Sequence, residues 1–388
     1  MKGADPVFKG LYIDDDEPQR VLYSELLSSD KFDFSEEALP KSLSYLVDTI
    51  EEQEPSIIVM DYRLDGTHND GWDNKFKAGG VAQVLRDHFV EAPARDVPII
   101  LLSTERNIQQ LFAPDKTSHD LFDLWYLKEE LHLGEGSRRN EIHSKLEALV
   151  CGYQQIKDEL AVGEPQGLAQ RLLALSKEEY AQINSEGLKL LLLNSEGAGE
   201  RPHVIARQFY HSVIKQPGLL ISRRSLAAKL GITPESFAEL ANAGIFSNLE
   251  FDGLFAGGWH RFWRHRFDQW EDETFDILLA NLTGQERADK LADRFKRPVE
   301  AAASKWSGSS NEKFSFACRV CEDATELCHS VAAFEPKLLP FMERGRICYD
   351  CIDREDEMRR KRIRVAEADE QIVSDIRNEI IVRPVVEG

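Results

Sequence analysis

The chain has 388 residues, of which 42% are hydrophobic and 30% are charged, and its formal net charge is −20. This length predicts two or three domains, and the composition is that of an ordinary globular protein. The negative charge argues against a protein whose whole surface attracts nucleic acid, although it allows a local basic face. No apolar run reaches the ~18 residues of a membrane helix, and the first residues lack the apolar core of a signal peptide. We therefore expect a cytoplasmic protein without membrane contact.

The N-terminal third alternates apolar runs with segments of helix length. Runs typical of buried parallel strands cover residues 7–13, 31–34, 57–60, 98–102 and 124–127. The polar residues that follow four of these runs are Asp14 and Asp15, Asp61, Ser103, and Lys128. Because the carboxyl ends of parallel strands meet at one edge of a sheet, we expect these side chains to converge there.

Each of these side chains has a use in phosphoryl transfer. A carboxylate such as Asp61 can act as a nucleophile and become an aspartyl phosphate. Neighbouring carboxylates can hold Mg²⁺ through oxygen ligands, and the ion neutralises charge on the transferring group. Lys128 can supply a point charge to phosphoryl oxygens, and Ser103 can donate a hydrogen bond to one of them. The pattern predicts a phosphoryl-transfer site.

With these residues in place, positions 7 to about 150 resemble the receiver domain of two-component response regulators. The resemblance rests on residues 13–18, 58–61, 98–103 and 126–128. It implies a flavodoxin-like, doubly wound parallel sheet with helices on both faces. It also implies that Asp61 is the phosphoacceptor and that a histidine kinase is the phosphodonor.

The same resemblance assigns roles around Asp61. Asp14 and Asp15 would be Mg²⁺ ligands together with Asp61, and Arg63 would offer its backbone carbonyl to the ion. Ser103 would be the switch hydroxyl, Lys128 the phosphate-binding lysine and Trp125 the aromatic switch residue.

The sequence departs from the family pattern at three places. Asp65 and Glu129 stand where the family usually has proline, and residues 67–80 resemble an insertion. A receiver fold that keeps its acids without being phosphorylated, and serves as a scaffold, is therefore the alternative to a working phosphoacceptor.

From Gln154 to about Ser310 the pattern changes to almost continuous helix, which predicts a helical domain over 153–310 after a receiver-like domain over 1–152. Inside it, residues 224–240 have a sequence pattern typical of a helix-turn-helix. Ser225 is expected to cap the first helix and Gly231 to end it, and Thr233 to cap the second. Pro234 fits the first helical position.

The second helix of this segment bears on DNA binding. It carries Glu235, Ser236 and Glu239, whereas a helix that reads DNA ordinarily carries Arg, Lys, Asn or Gln. The sequence therefore favours a structural hairpin, and DNA binding through it is the alternative.

An aromatic segment follows at residues 255–270. Its aromatic residues are Trp259, Phe262, Trp263, Phe267 and Trp270. Their spacing predicts one stripe on a helix, with arginines around it. Such a mixture can bind a nucleic acid strand or an anionic ligand. An aromatic stripe is more often core, and we favour a core role with the arginines paired to acids.

The C-terminal part, residues 311–388, contains two C-x-x-C pairs. They are formed by Cys318 and Cys321, and by Cys348 and Cys351. In a cytosolic chain this pattern favours metal over disulfides, and four thiolates suit a closed, structural Zn²⁺ site. Residues 318–351 resemble treble-clef and zinc-ribbon modules, in which the second pair opens a helix. Cys328 and His329 are spare ligands, so a Cys₃His site or a second metal stays open.

Together these features predict a multidomain signalling protein. Phosphorylation at Asp61 would be transmitted through the helical and zinc-binding parts to a protein partner. A DNA-binding regulator that uses the helix-turn-helix segment and the basic stretch 359–364 is the first alternative. An effector with an unrecognised enzymatic middle domain has the least support, since no pair of nucleophile and base stands out beyond the phosphoacceptor chemistry.

Overall fold

The computed structural model describes most of the chain. The described residues are 7–38, 42–64, 76–104, 106–107, 121–132, 136–162, 167–183, 201–306, 312–335, 338–339, 341–361 and 363–383, with the backbone alone at 357, 359 and 360. Among them, no helix is long and apolar enough to cross a bilayer.

Contacts divide the chain into two compact units. The first comprises 1–177, 188–210 and 252–259, and the second comprises 178–187, 211–251 and 260–388. The sequence-based domain limits at 152 and 310 stay predictions.

The first unit is built on a parallel sheet. Its strands in chain order are β1 (Phe8–Ile13), β2 (Phe32–Glu37), β3 (Ile57–Met60), the short antiparallel pair β4 (Arg63–Leu64) and β5 (Phe76–Lys77), then β6 (Ile99–Ser103) and β7 (Leu124–Leu127). Five of them form one sheet in the order β2-β1-β3-β6-β7, and every pairing in it is parallel. This is the strand order of the flavodoxin-like doubly wound fold. The predicted fold class is confirmed.

Helices alternate with these strands and a helical region follows them. They are α1 (Glu17–Leu27), α2 (Leu43–Gln53), α3 (Ala78–Glu91), α4 (Lys128–His132), α5 (Ser137–Ala161), α6 (Leu168–Leu172), α7 (Lys177–Gln182) and α8 (Pro202–Phe209), of which α7 belongs to the second unit from residue 178 onward. Side chains set the starts of two of them, since Asp16 caps α1 and Ser42 caps α2.

The sheet buries both faces, as a doubly wound fold requires. All four residues of β3 are buried, which explains its uninterrupted apolar sequence. Ile58 and Met60 belong to one core cluster with Leu46 of α2 and Leu85 of α3. Side chains of a strand alternate between faces, so Tyr12 lies opposite Leu11 and Ile13 and packs against α1.

The second unit is mixed. It contains α9 (Arg223–Leu230), α10 (Pro234–Asn242), α11 (Arg264–Thr274), α12 (Gly284–Phe295), α13 (Tyr349–Arg354), α14 (Asp356–Lys361) and α15 (Glu370–Arg377). Its short strands form antiparallel pairs: β8 (Leu220–Ser222) with β9 (Arg261–Trp263), β10 (Phe314–Ala317) with β11 (Ala324–Glu326), and β12 (Ser330–Ala332) with β13 (Arg346–Cys348). A π-helical turn spans Tyr210–Ile214, and 3-10 turns of this unit span Ser247–Leu249, Leu279–Asn281, Leu327–His329 and Glu367–Asp369; a further 3-10 turn, Pro93–Arg95, belongs to the first unit.

The two helices of the predicted helix-turn-helix segment, and the turn between them, are confirmed, with one correction to the cap of the first helix. Gly231 ends α9 in the left-handed region, and the Thr233 hydroxyl caps α10, which begins at Pro234. The cap of α9, however, is Ser222 rather than Ser225. The Ser222 hydroxyl accepts a hydrogen bond from the Ser225 backbone N–H, because the helix starts at Arg223, earlier than the sequence predicted.

The aromatic segment is core, but it is not one helix. Residues 261–263 form β9 and only Arg264 begins α11, so the prediction of a continuous helical stripe is wrong. Phe262 and Phe267 are buried in one cluster of the second unit, against which Trp270 packs. Arg264 pairs with Asp268, as the core interpretation expected of the arginines.

Candidate functional site

The polar residues at the carboxyl edge of the sheet lie where the sequence predicted. Asp14 follows β1, Asp61 follows β3, Ser103 ends β6 and Lys128 follows β7. All four side chains are buried. The central strands β1, β3 and β6 are hydrogen-bonded neighbours, so their ends bring these residues together.

Asp61 is the centre of the hydrogen-bond network. Its Oδ1 accepts a hydrogen bond from the Ser103 hydroxyl at 2.9 Å and lies 2.9 Å from the Lys128 Nζ. Its Oδ2 accepts from the backbone N–H of Arg63 at 2.7 Å. The predicted phosphoacceptor therefore contacts both the predicted switch hydroxyl and the predicted lysine.

Asp14 shares the lysine with Asp61. Its Oδ2 lies 2.9 Å from the Lys128 Nζ and accepts from the Tyr12 hydroxyl at 2.7 Å. The other carboxylate oxygen accepts from the Asp16 backbone N–H at 3.0 Å. The two buried carboxylates are thus tied to one ammonium.

Burial and mutual repulsion set the ionisation of this cluster. Burial raises the pKa of Asp61, although the charge of Lys128 opposes the shift. Burial and the neighbouring Asp14 charge raise the pKa of Asp15 to about 6. For Lys128 burial acts to lower the pKa, but the carboxylates of Asp61 and Asp14 outweigh it and the pKa is raised. Negative charge exceeds what one lysine neutralises.

The three carboxylates fit a magnesium ion. Oxygen atoms of Asp14, Asp15 and Asp61 all lie within 4.8 Å of one another. Mg²⁺ prefers such hard oxygen ligands, and it would relieve the repulsion that raises the pKa values of Asp15 and Asp61. The metal role of the Arg63 carbonyl stays a prediction.

Sequence reasoning missed several residues around the cluster. Gln19 of α1 accepts a hydrogen bond from Lys128 at 2.5 Å, and Asn107 donates to the Ser103 hydroxyl at 3.3 Å. The Tyr12 contact could have been found, because residues 12 and 14 face the same side of an extended chain. Trp125, the predicted aromatic switch, has 48% of its surface exposed. Asp65 and residues 67–75 lie outside the described part, and Glu129 lies in the first turn of α4.

A second candidate site is formed by the four cysteines of residues 318–351. The Sγ atoms of Cys318 and Cys351 are 3.9 Å apart, and those of Cys321 and Cys348 are 3.8 Å apart. The sulfur atoms of all four lie within 4.8 Å of one another, and all four cysteines are free. A tetrahedral ion with Zn–S bonds of about 2.3 Å places its sulfurs roughly 3.8 Å apart, so this cluster fits zinc. A disulfide would require about 2.05 Å.

The local structure around the two C-x-x-C pairs places their sulfur atoms around one point. Cys318 follows β10 at the start of the turn towards β11, whereas Cys348 ends β13. Helix α13 begins directly after Cys348 and carries Cys351, as the resemblance to treble-clef modules implied. The Cys318 sulfur also accepts hydrogen bonds from the backbone N–H groups of Val320 and Cys348.

The spare ligands lie apart from the four-cysteine cluster. Cys328 and His329 group with Glu326 instead, and the Glu326 carboxylate contacts the His329 ring at 2.9 Å. The side chains of Arg359 and Arg360, and the whole of Arg362, lie outside the described residues. Lys361, from the same basic stretch, donates a hydrogen bond to the Val320 carbonyl at 2.5 Å.

Comparison with known proteins finds similar solved structures, whereas no protein-family model and no curated protein matches the chain. The signal receiver domain of the response regulator NarL from Mycobacterium tuberculosis is 18% identical, with a TM-score of 0.26 over 38% of this chain and 99% of that one. For the chemotaxis response regulator CheY4 of Vibrio cholerae, the identity is 14% and the TM-score is 0.24, over 32% and 93% of the chains. Full-length FixJ from B. japonicum is 13% identical, with a TM-score of 0.25 over 53% and 98%. The N-terminal part of this chain is similar to response-regulator receiver domains, and its own strand order is that of their fold.

Proposed function

We propose that this chain is a response-regulator-like signalling protein whose Asp61 accepts a phosphoryl group from a histidine kinase. The observation that carries the proposal is the contact of Asp61 with Ser103 and Lys128, beside the carboxylates of Asp14 and Asp15. A nucleophile, a hydroxyl, an ammonium and two further acids at one sheet edge make up the set that phosphoryl transfer to a carboxylate requires.

The transfer can be written from the phosphohistidine of the kinase. A carboxylate oxygen of Asp61 attacks phosphorus and forms the new O–P bond while the P–N bond breaks. The imidazole nitrogen leaves with the electron pair and takes up a proton from solvent. Lys128 and Ser103 contact the Oδ1 atom of Asp61, so their charge and hydrogen bond are available to the phosphoryl oxygens.

Magnesium belongs to this proposal. Asp14, Asp15 and Asp61 would hold the ion, with the Arg63 carbonyl as a further ligand. It supplies positive charge that neutralises the transferring group.

For the output we favour a protein partner. An aspartyl phosphate adds roughly −1.5 to −2 charges beside Ser103 and Lys128, which biases the protein between two conformations. Trp125 lies in β7, and two residues separate it from Lys128. Its side chain is 48% exposed, so we expect it to report the change to a partner. The helical and zinc-binding parts would carry the signal onward.

The DNA-binding alternative has weaker support. Glu235 and Glu239 are exposed on α10, the helix that would read bases, whereas Phe237 and Leu240 fill the core. Acids facing solvent repel a phosphate backbone.

The test is the intact mass of the protein after incubation with Mg²⁺ and acetyl phosphate. We expect one added phosphoryl group on the native chain, none on Asp61→Asn, and a strong decrease when Mg²⁺ is chelated. Asp33→Asn, which changes an exposed carboxylate of β2, should label like the native chain. Absence of an adduct, under conditions in which another receiver labels, would refute the phosphoacceptor and leave the scaffold interpretation.

A further inference from the structure

The second unit contains a cavity that the receiver chemistry does not use. Its volume is about 420 Å³, which lies in the range of small-ligand sites. It is lined by β8 and the turn before it, helix α9, the first residue of β9, strand β10 with the turn after it, and the segment that leads into β13. The backbone N–H of Glu343 donates to the Pro217 carbonyl at 2.8 Å, which joins two of these walls.

The cavity is basic, although the chain as a whole carries −20. Seven Lys or Arg residues and two Glu residues line it. Lys215, Arg224 and Lys229 come from the helical side. Arg319, Arg344 and Arg346 come from the side that also bears the cysteines. The excess of positive charge in a concave site attracts anions and concentrates them there.

Several of these cations have no carboxylate partner. The guanidinium of Arg319 donates to the Lys215 carbonyl at 3.2 Å and to the Gln216 side chain at 3.1 Å, and both acceptors are neutral. Arg346 donates to the hydroxyl and carbonyl of Ser330, at 2.8 and 2.9 Å. Among the described residues, the Arg224 side chain and the Lys215 ammonium make no hydrogen bond or ion pair. Their charges are thus available to a ligand.

The acids of the cavity do not neutralise it. Glu343 is paired with Arg264, whose guanidinium lies 2.5 Å from its Oε1. Burial, reinforced by the charge of Arg264, lowers the pKa of Lys229 even though Glu343 opposes the shift. A partly desolvated lysine in a cationic field is the arrangement that an incoming anion stabilises.

We propose that this cavity binds a small ligand with two or more phosphate groups, of the size of a nucleoside diphosphate or triphosphate. Arginine guanidinium groups held by neutral acceptors offer their remaining N–H donors to phosphate oxygens in pairs. One phosphate group can contact only two or three of seven cations spread over several walls, so the charge favours an extended polyanion. Leu220, Ile221 and Phe316 also line the cavity and provide apolar surface for the rest of the molecule.

The test is calorimetric titration of the full chain with ATP, tripolyphosphate and inorganic phosphate as probes, in magnesium-free buffer. We expect the two polyphosphates to bind and inorganic phosphate to bind at least about tenfold more weakly, with affinity falling as salt rises. Arg224→Ala should weaken polyphosphate binding by about tenfold, since it removes one charge-assisted contact. Tighter binding of ATP than of tripolyphosphate identifies a nucleotide, and equal binding a polyphosphate group alone.

Arg223→Ala is the matched control. Arg223 is the neighbouring exposed arginine of α9 but does not line the cavity, so its variant should bind within about twofold of the native chain. Lys215→Gln tests the opposite wall and should weaken binding as Arg224→Ala does. Equal losses from Arg223→Ala and Arg224→Ala would overturn the proposal, as would the absence of binding. A DNA duplex that binds more tightly than the polyphosphates, with the same dependence on Arg224, would also overturn it.

Discussion

Asp15 and Asp61 belong to one carboxylate cluster but differ in their surroundings. Asp61 is buried and lies 2.9 Å from the Lys128 Nζ, whereas Asp15 is half-buried, and the described ion pairs of Lys128 are with Asp14 and Asp61. Burial and the Asp14 charge raise the pKa of Asp15 to about 6, above its usual value near 4. The ionised side chain of Asp15 therefore destabilises the fold when no cation is bound.

We expect Asp15→Asn to stabilise the protein in magnesium-free buffer at neutral pH. A raised carboxylate pKa means that the folded state binds the proton more tightly, so the cost is fully present above about pH 6 and disappears below about pH 4. Because Asp15 is half-exposed, the gain should be only about 1 kcal/mol. Urea unfolding at about pH 7.5 and about pH 4 measures it.

The control for this substitution is Asp33→Asn, which removes an exposed charge of β2 away from the cluster. Mg²⁺ should raise the unfolding free energy of the native chain more than that of Asp15→Asn. A gain of the same size at both pH values would contradict the electrostatic explanation.

At the scale of elements, a buried ionic network joins α3 and α8. Asp96 is fully buried and accepts hydrogen bonds from the Arg86 guanidinium at 3.1 Å and from the His203 ring at 2.6 Å. It also accepts from the His203 backbone N–H at 2.8 Å, near the start of α8. Arg86 contacts Asp123 at 2.7 Å as well. Helix α8 is thereby attached to the receiver sheet within the first unit.

Asp96→Ala should destabilise the first unit by about 3–5 kcal/mol, because it leaves the Arg86 charge partly unpaired and the His203 N–H without an acceptor. Urea unfolding followed by circular dichroism measures the loss. Asp87→Ala, on the exposed side of α3, should change the unfolding free energy by less than about 0.5 kcal/mol. Similar losses from both variants would contradict the importance of this network.

Gly231 ends helix α9 in a backbone conformation that favours glycine. Gly231 has a φ of 68°, and a Cβ there would lie 2.9 Å from the Arg287 Cδ and 3.1 Å from the Gly284 Cα. Gly231→Ala should therefore cost about 1 kcal/mol for the left-handed backbone and more for the crowding. Thermal unfolding provides the measurement.

Gly244→Ala separates these two contributions. Gly244 has a similar φ of 79°, but the nearest atom to its added Cβ is the Ser247 Oγ at 3.5 Å, an ordinary contact. We expect Gly244→Ala to lose only the backbone part, about 1 kcal/mol. If it were as destabilising as Gly231→Ala, crowding against Arg287 and Gly284 would have no measurable effect.

At the scale of the whole molecule, the two units have separate cores. One core lies beneath the parallel sheet, and another surrounds the four cysteines together with Val320, Ile347 and Ile352. We expect a zinc ion held by the four cysteines to supply much of the stability of such a small core.

Zinc removal should therefore act locally. We expect about one zinc per chain by elemental analysis, and faster amide exchange over residues 312–335 and 341–361 after treatment with a strong chelator. Exchange over residues 8–38 should not change. Cys321→Ser should lose most of the zinc, whereas Cys151→Ser, which alters an exposed cysteine outside the cluster, should keep it. Full zinc content in Cys321→Ser would refute the four-cysteine site.

The sequence by itself determined the elements whose signals are local. Four apolar runs predicted the strands that Asp14, Asp61 and Lys128 follow and that Ser103 ends, because consecutive residues show both the apolar strand and the polar residue at its end. The C-x-x-C spacing likewise identified four cysteines that the fold brings within 4.8 Å. These signals do not depend on which distant segment lies beside them.

Only the tertiary structure decided the features that depend on distant neighbours. The aromatic segment has helical spacing, yet residues 261–263 pair with β8 as a strand, since hydrogen bonding to a partner strand outweighs local periodicity. The Asp96–His203 contact and the basic cavity join residues far apart in sequence, so no local pattern marks them. Charge and burial at a site are sums over all segments that surround it, and those sums exist only once the chain has folded.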